Sequence, residues 1–139
     1  MNMERRLIVI DTNCLLQMLG KHSSYHALWK AFLEKRYVLC ISNEILHEYE
    51  EIVTQKVSER VADLLIQTIM NSSNTLKKDP YFRFRLIEQD WDDNKFVDCA
   101  ITCGADYIVS EDAHFRCLDT IPFPTVRVIR LEQFMKEMT

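Results

Sequence analysis

LIVIDTNCLL, residues 7–16, runs four aliphatic side chains straight into an acid and then three small polar ones. A short, continuous, β-branched run of this kind reads as a strand over residues 7–11 that is covered on both faces, as in a parallel sheet. Such a strand has no business ending on a carboxylate unless the acid lies at a wet mouth or beside a cation, because a lone ionised carboxylate is costly to bury. The rest of the chain decides which.

Working outward, residues 24–35 (SYHALWKAFLEK) place Tyr25, Leu28, Trp29, Phe32 and Leu33 on one face of an amphipathic helix. YVLCIS, residues 37–42, is a second strand, and Ser42 caps a helix whose apolar stripe is Ile45, Leu46, Tyr49, Ile52 and Val53. Val61, Leu64, Leu65, Thr68 and Ile69 mark another helix close behind, so the pair forms a helical hairpin. Residues 71–92 are the least regular part, although YFRFRL (81–86) alternates aromatic and basic residues. A helix over residues 93–103 then stops at Gly104, followed by the strand DYIVS (106–110), a short helix, a strand at VRVI (126–129) and a terminal helix LEQFMKEM (131–138). Strands alternating with helices predict an α/β fold, a three-layer α/β/α sandwich around a central, mostly parallel sheet. In such folds ligands bind beyond the carboxyl ends of the strands.

Composition agrees with one domain. The chain has 139 residues, of which 47% are hydrophobic, and only two glycines and three prolines punctuate it. No linker, repeat or low-complexity run stands out, and no apolar stretch approaches the roughly 20 residues of a bilayer crossing. MNMERR at the start leads into no cleavage signal, so a soluble, cytoplasmic protein is expected. Five cysteines at irregular spacing suit free thiols in a reducing compartment. Cys99 and Cys103 lie one helical turn apart, but no second Cys/His pair at zinc-site spacing follows, and the core reading is preferred. The net charge of −4 is unlike that of a nucleic-acid binder, yet four acids gathered around a metal would leave the remainder of the chain neutral.

The acids sort by position. Asp11 ends the first strand, and DYIVSED repeats the design with Ser110, Glu111 and Asp112, so two strand-end acids share one edge of the sheet. On a helical wheel of about 100° per residue, Glu44 and Glu51 point away from the stripe of their helix, whereas Glu48 and Glu50 lie at its two margins. On the helix after residue 93, the apolar arc of Phe96, Val97, Cys99, Ala100 and Cys103 includes Asp93 one turn earlier, at the helix start where the macrodipole favours an anion. Asp98 falls on the opposite side and is expected to face solvent.

With these residues in view, the chain resembles the PIN-domain nucleases, especially the branch that comprises toxin components of bacterial toxin–antitoxin systems. The resemblance covers nearly the whole chain and rests on IVIDTN (8–13), ISNEILHEYEEI (41–52) with a Glu six residues after its Ser, DDNKFVDCAITCGADYIVSED (92–112), and the spacing between them. It implies that the family's acids fall on Asp11, Glu48, Asp93 and Asp112, and so selects Glu48 over Glu50. It further implies Thr12, Asn13 and Ser110 as the small polar neighbours of those acids, with Asn13 and Ser110 in orienting roles, and it offers Asp98 as a fifth acid in spite of the wheel. One departure is SED, where relatives carry Thr and Gly before the last acid; Ser110 keeps the hydroxyl, and Glu111 adds a charge that would perturb metal affinity or stand in as a ligand.

Such a site has a plain chemical logic. Four carboxylates in one cleft repel one another, and hard, oxygen-seeking Mg²⁺ or Mn²⁺ relieves the repulsion. A bound ion lowers the pKa of a coordinated water, so a phosphodiester can be hydrolysed without a side-chain nucleophile. The resemblance implies an RNA substrate, a 5′-phosphate product, a small antitoxin covering the cleft, and homodimers with the exposed apolar residues of the hairpin as contact. Arg83 and Arg85, alternating with Phe82 and Phe84, are the candidate phosphate contacts, their rings packing inward. Of the four histidines, His114 alone is near the proposed site. A haloacid-dehalogenase-like phosphatase would need an Asp where Asn13 stands, and a phosphoacceptor receiver would need paired acids at the first strand and a Lys ending a late one, which LIVIDTN and VRVIRL lack. The alternative within the same fold is a catalytically silent PIN domain that binds protein or RNA.

Overall fold

A computed structural model describes residues 5–81, 83–87, 93–121 and 124–138. In chain order they form β1 (Leu7–Ile10), α1 (Thr12–Leu19), α2 (His26–Leu33), β2 (Val38–Ile41), α3 (Asn43–Lys56), α4 (Glu59–Asn71), β3 (Thr75–Lys77), α5 (Asn94–Cys103), β4 (Tyr107–Val109), a 3₁₀ segment (Ala113–Thr120), β5 (Val128–Ile129) and α6 (Leu131–Met138).

The five strands make one sheet in the order β3-β2-β1-β4-β5, and every neighbouring pair is parallel. Successive residues of a strand point to opposite faces, so the near-zero exposure of Ile8, Val9 and Ile10, at 0%, 0% and 1%, requires cover on both sides of β1. One side is α5, which packs across β1, β2 and β4. The first-made strand is therefore the central one, and the strand order reverses between β1 and β4, the place where open parallel sheets leave a crevice at their carboxyl edge.

Two elements are additional to those expected. α1 begins directly after Asp11, whose carbonyl accepts from Leu15 N at 3.0 Å, and it buries Cys14, Leu15 and Met18. Its eight residues, TNCLLQML, open with a polar turn and are too few for a helical period to stand out, so no pattern announces it. β3, only three residues long, is docked through Asn74. This side chain is buried, and its Nδ2 donates to the carbonyls of Phe32 and Tyr37, each at 2.9 Å, which closes the turn between α2 and β2. Asn74→Ala removes the buried donor shared by both carbonyls, although Phe32 O keeps its bond from Lys35 N at 2.9 Å, and is expected to cost about 2 kcal/mol, read as a lower urea midpoint at unchanged slope.

The helix faces are shifted in places from the expected stripes. On α4 the buried residues are Ala62, Leu65 and Ile69, while Leu64 is 56% exposed. Leu33 likewise faces out from the end of α2. The α3–α4 hairpin forms as expected, with Ser42 and Ser58 capping its two helices through bonds from Ile45 N and Val61 N. Gly104 ends α5 in the left-handed conformation, φ 66°. An aromatic cluster under α6 joins Tyr37 to Phe134 at 5.1 Å between ring centroids, and Phe134 to Tyr107 at 6.1 Å. The five cysteines are free, four of them buried; Cys99 and Cys103 have their sulfurs 4.0 Å apart in the core. No helix among the described residues is long and apolar enough to cross a membrane.

Candidate functional site

The site lies at the carboxyl edge of β1 and β4. Asp11 N donates to Val109 O at 3.0 Å, extending the ladder one residue past β1, and Tyr49 OH from α3 donates to Ile10 O, pinning that strand end from the helix side. The Ser110 hydroxyl then donates to Asp11 Oδ2 at 2.8 Å while accepting from Asp112 N at 3.0 Å. One side chain thus ties the two strand ends together and orients the first acid.

Asp11 is buried, and its carboxyl is held above the ordinary carboxylate range. Burial is the main cause; the Ser110 hydroxyl pulls the other way, and the negative charges of Glu48 and Asp112 push it further up, with the Asn13 backbone amide opposing them. Asn13 itself is exposed on the first turn of α1, and among the described residues its side chain bonds to none of the acids. Thr12 is buried and donates its hydroxyl to Glu48 Oε2 on α3. The other Glu48 oxygen, Oε1, pairs with Lys95 Nζ at 2.8 Å.

Asp93 sits at the N-cap position of α5, yet its side chain makes no capping hydrogen bond. Its Oδ2 is buried, receives no hydrogen bond, and faces His114 Nδ1 at 3.7 Å. Asp112 caps the 3₁₀ segment, its Oδ1 accepting from His114 N at 2.9 Å, and the same oxygen lies 3.4 Å from His114 Nδ1. One ligand atom each from Asp93, Asp112 and His114 falls within 4.8 Å of the others. Carboxylate oxygens with a single imidazole nitrogen suit a divalent ion, Mg²⁺ through the oxygens and Mn²⁺ through both donor types, so the residues present fit the expected metal.

Asp98 differs from expectation. It is 3% exposed rather than facing solvent, because the segment 83–87 crosses over α5 and Phe84 N donates to Asp98 Oδ1 at 3.0 Å. The wheel assigns a helix one buried face; a second layer of chain buries the other. Asp98 therefore anchors a strap, while Asp79 anchors the preceding stretch by accepting from Asn43 N and Nδ2 at 2.8 and 2.9 Å. The strap is not a strand: Arg85 has φ 52°, and Phe84 is 36% exposed instead of packed inward; Phe82 lies outside the described residues. Arg83 turns to Glu44 at 2.8 Å. Glu111 also leaves the cluster, accepting from Arg130 Nε at 2.6 Å and from Leu131 N at 3.0 Å, so it caps α6 instead of serving as a ligand.

Two site residues were not selected by sequence reasoning. His114 is flagged only by its nearness to Asp112, and Lys95 by nothing, since its partner Glu48 belongs to a helix distant in sequence.

Comparison with known proteins bears on the fold. Residues 7–114 match the family described as PIN domain. The structure is similar to that of Mycobacterium tuberculosis VapC20, a sarcin-ricin loop cleaving toxin, with a TM-score of 0.57, 16% identity and 78% of this chain aligned to 92% of that one. It is also similar to VapBC2 from Rickettsia felis bound to a DNA fragment from its promoter (TM-score 0.62, 14% identity, 89% of this chain and 98% of that one). DNA-bound VapBC from Salmonella typhimurium gives a TM-score of 0.56 at 15% identity over 92% of this chain and 99% of that one. At these identities the shared property is the fold. No curated protein matches the sequence.

Proposed function

The chain belongs to the PIN-domain family, and from that premise we propose that it is a divalent-metal-dependent ribonuclease, the toxin of a toxin–antitoxin pair, comprising one domain. The observation that carries the reading is the meeting of Asp11, Glu48, Asp93 and Asp112, drawn from four separate segments, at the β1–β4 crevice. Asp11 and Asp93 are buried, and Asp11 is held by Ser110 against the charges of Glu48 and Asp112, an arrangement that a bound cation would turn from a burden into a binding site.

Asp11, Asp93 and Asp112 are the proposed ligands with Glu48 at the margin, and Mg²⁺ or Mn²⁺ held there supplies a water acidic enough to attack phosphorus and positive charge for the phosphate. Ser110 orients Asp11, Asn13 faces the incoming RNA from the start of α1, and Arg83 and Arg85 on the strap contact the phosphate backbone. Asp98 supports the site by holding that strap. Cleavage leaves a 5′-phosphate. The likeness to VapC20 and to two VapBC assemblies supports an antitoxin partner, which the protein would meet in the cytoplasm, and the exposed apolar residues Val57, Leu64 and Met70 of the hairpin offer a surface for a homodimer.

The test is direct. Purified protein should cut single-stranded or structured RNA with Mn²⁺ or Mg²⁺ present, stop in EDTA, and leave 5′-phosphorylated ends. RNA that is bound but stays intact with both ions makes the protein a binding module instead.

A further inference from the structure

We infer that Lys95 is a built-in cation of the acidic cluster, occupying at Glu48 the place of a second divalent ion, so that the centre holds one metal ion and not two. The inference rests on the metal-site reading above and specifies its stoichiometry.

Both Glu48 oxygens are already engaged. Oε1 meets Lys95 Nζ at 2.8 Å and Oε2 accepts from Thr12. The pair is poorly solvated, with side-chain exposures of 13% for Lys95 and 25% for Glu48, and an ion pair in such surroundings is strongly disfavoured once one partner is removed. Asp93, Asp112 and His114 form the other half of the site, their ligand atoms within 4.8 Å of one another, and Glu48 is outside that group. The cluster therefore divides into a side that awaits a cation and a side that has one.

Lys95 is also held in place. The preceding residue, Asn94, clamps the backbone of Ile87 by accepting from its N–H at 2.9 Å and donating to its carbonyl at 2.8 Å, and the Lys95 ammonium lies 5.8 Å from the centroid of the Phe96 ring. A divalent ion taking Glu48 as ligand would have to expel this ammonium against full charge repulsion. Lys95 lines a cavity with Ser42, Glu44, Arg83 and Asp98, so replacing its head group opens into existing space and leaves the core packing alone.

Mn²⁺ stoichiometry by electron paramagnetic resonance tests this, with thermal melts in EDTA as a second reading. The wild type should bind one Mn²⁺. Lys95→Met, which retains the aliphatic stem, should gain a weaker second site and, with metal removed, melt a few degrees lower because Glu48 has lost its counter-ion. Adding Glu48→Gln should return the stoichiometry to one and recover the melting temperature. Two ions on the wild type, or a single ion on folded Lys95→Met, overturns the inference while leaving the metal centre standing. A wild type that takes up no Mn²⁺ refutes the metal centre itself. Where Lys95→Met fails to fold, Lys95→Gln, which keeps a hydrogen-bonding head group without the charge, is read in the same way: a second Mn²⁺ supports the inference and a single one overturns it.

Discussion

Asp11→Asn should lose Mn²⁺ binding, cut RNA more slowly by well over the roughly 10–100-fold that removal of an outer-shell partner costs, and yet make the metal-free protein more stable at pH 7. The two halves of this result have one cause. Asp11 is buried beside Glu48 and Asp112, so its carboxyl keeps its proton to higher pH in the folded chain than in the unfolded one. A carboxyl of that kind contributes stability that is present at acid pH and is lost as the pH climbs from the ordinary carboxylate range through the raised folded value. At neutral pH the charge is a burden on the fold, lifted by metal or by substitution. Asparagine keeps an oxygen for the Ser110 hydroxyl, so the tie between the strand ends survives. Melting in EDTA across pH checks the sign: the variant's advantage should appear above the raised value and shrink toward acid pH. A variant that melts below the wild type at pH 7, or still binds Mn²⁺ with wild-type affinity, contradicts the account.

Phe134→Ala should cost about 3–5 kcal/mol, a large part of the roughly 5–15 kcal/mol that holds a typical domain together. Phe134 is fully buried, and its ring fills the space between Tyr37 and Tyr107, which lead into β2 and begin β4. Truncation leaves a cavity lined by two large rings that are themselves anchored, Tyr37 OH donating to Leu28 O at 2.9 Å and Tyr107 OH to Glu137. Neither ring can easily collapse into the gap. The effect is notable because α6 lies beyond residues 7–114, the stretch that matches the family. Urea denaturation gives the measurement, and a loss below about 1 kcal/mol would mean that α6 is an appendage and not part of the core.

The parts of the molecule legible in the sequence are those where one physical rule acts alone. Residues 8–10 could be nothing but a doubly covered strand, Gly104 ends α5 as a left-handed cap, and the strand-end position of Asp11 and Asp112 follows from the alternation of elements. Two rules acting together hide the rest. α1 is masked because eight residues that open with a polar turn are too few to display a helical period, and β3 because three residues carry no period. Asp98 reads as solvent-facing on its own helix and is buried only by a strap contributed from elsewhere in the chain. The Glu48–Lys95 pair depends on how α3 and α5 approach each other, a matter of tertiary packing to which neither segment's composition testifies.

The strand order carries a consequence for synthesis. β1 leaves the ribosome first but needs β4 on one flank before its edge is closed, and Asp112 follows β4. A chain translated only as far as α4 owns Asp11 and Glu48 with nothing to bring them opposite their counterparts. The crevice between β1 and β4 therefore does not exist until β4 and Asp112 have been made, which places its assembly after that of the α3–α4 hairpin.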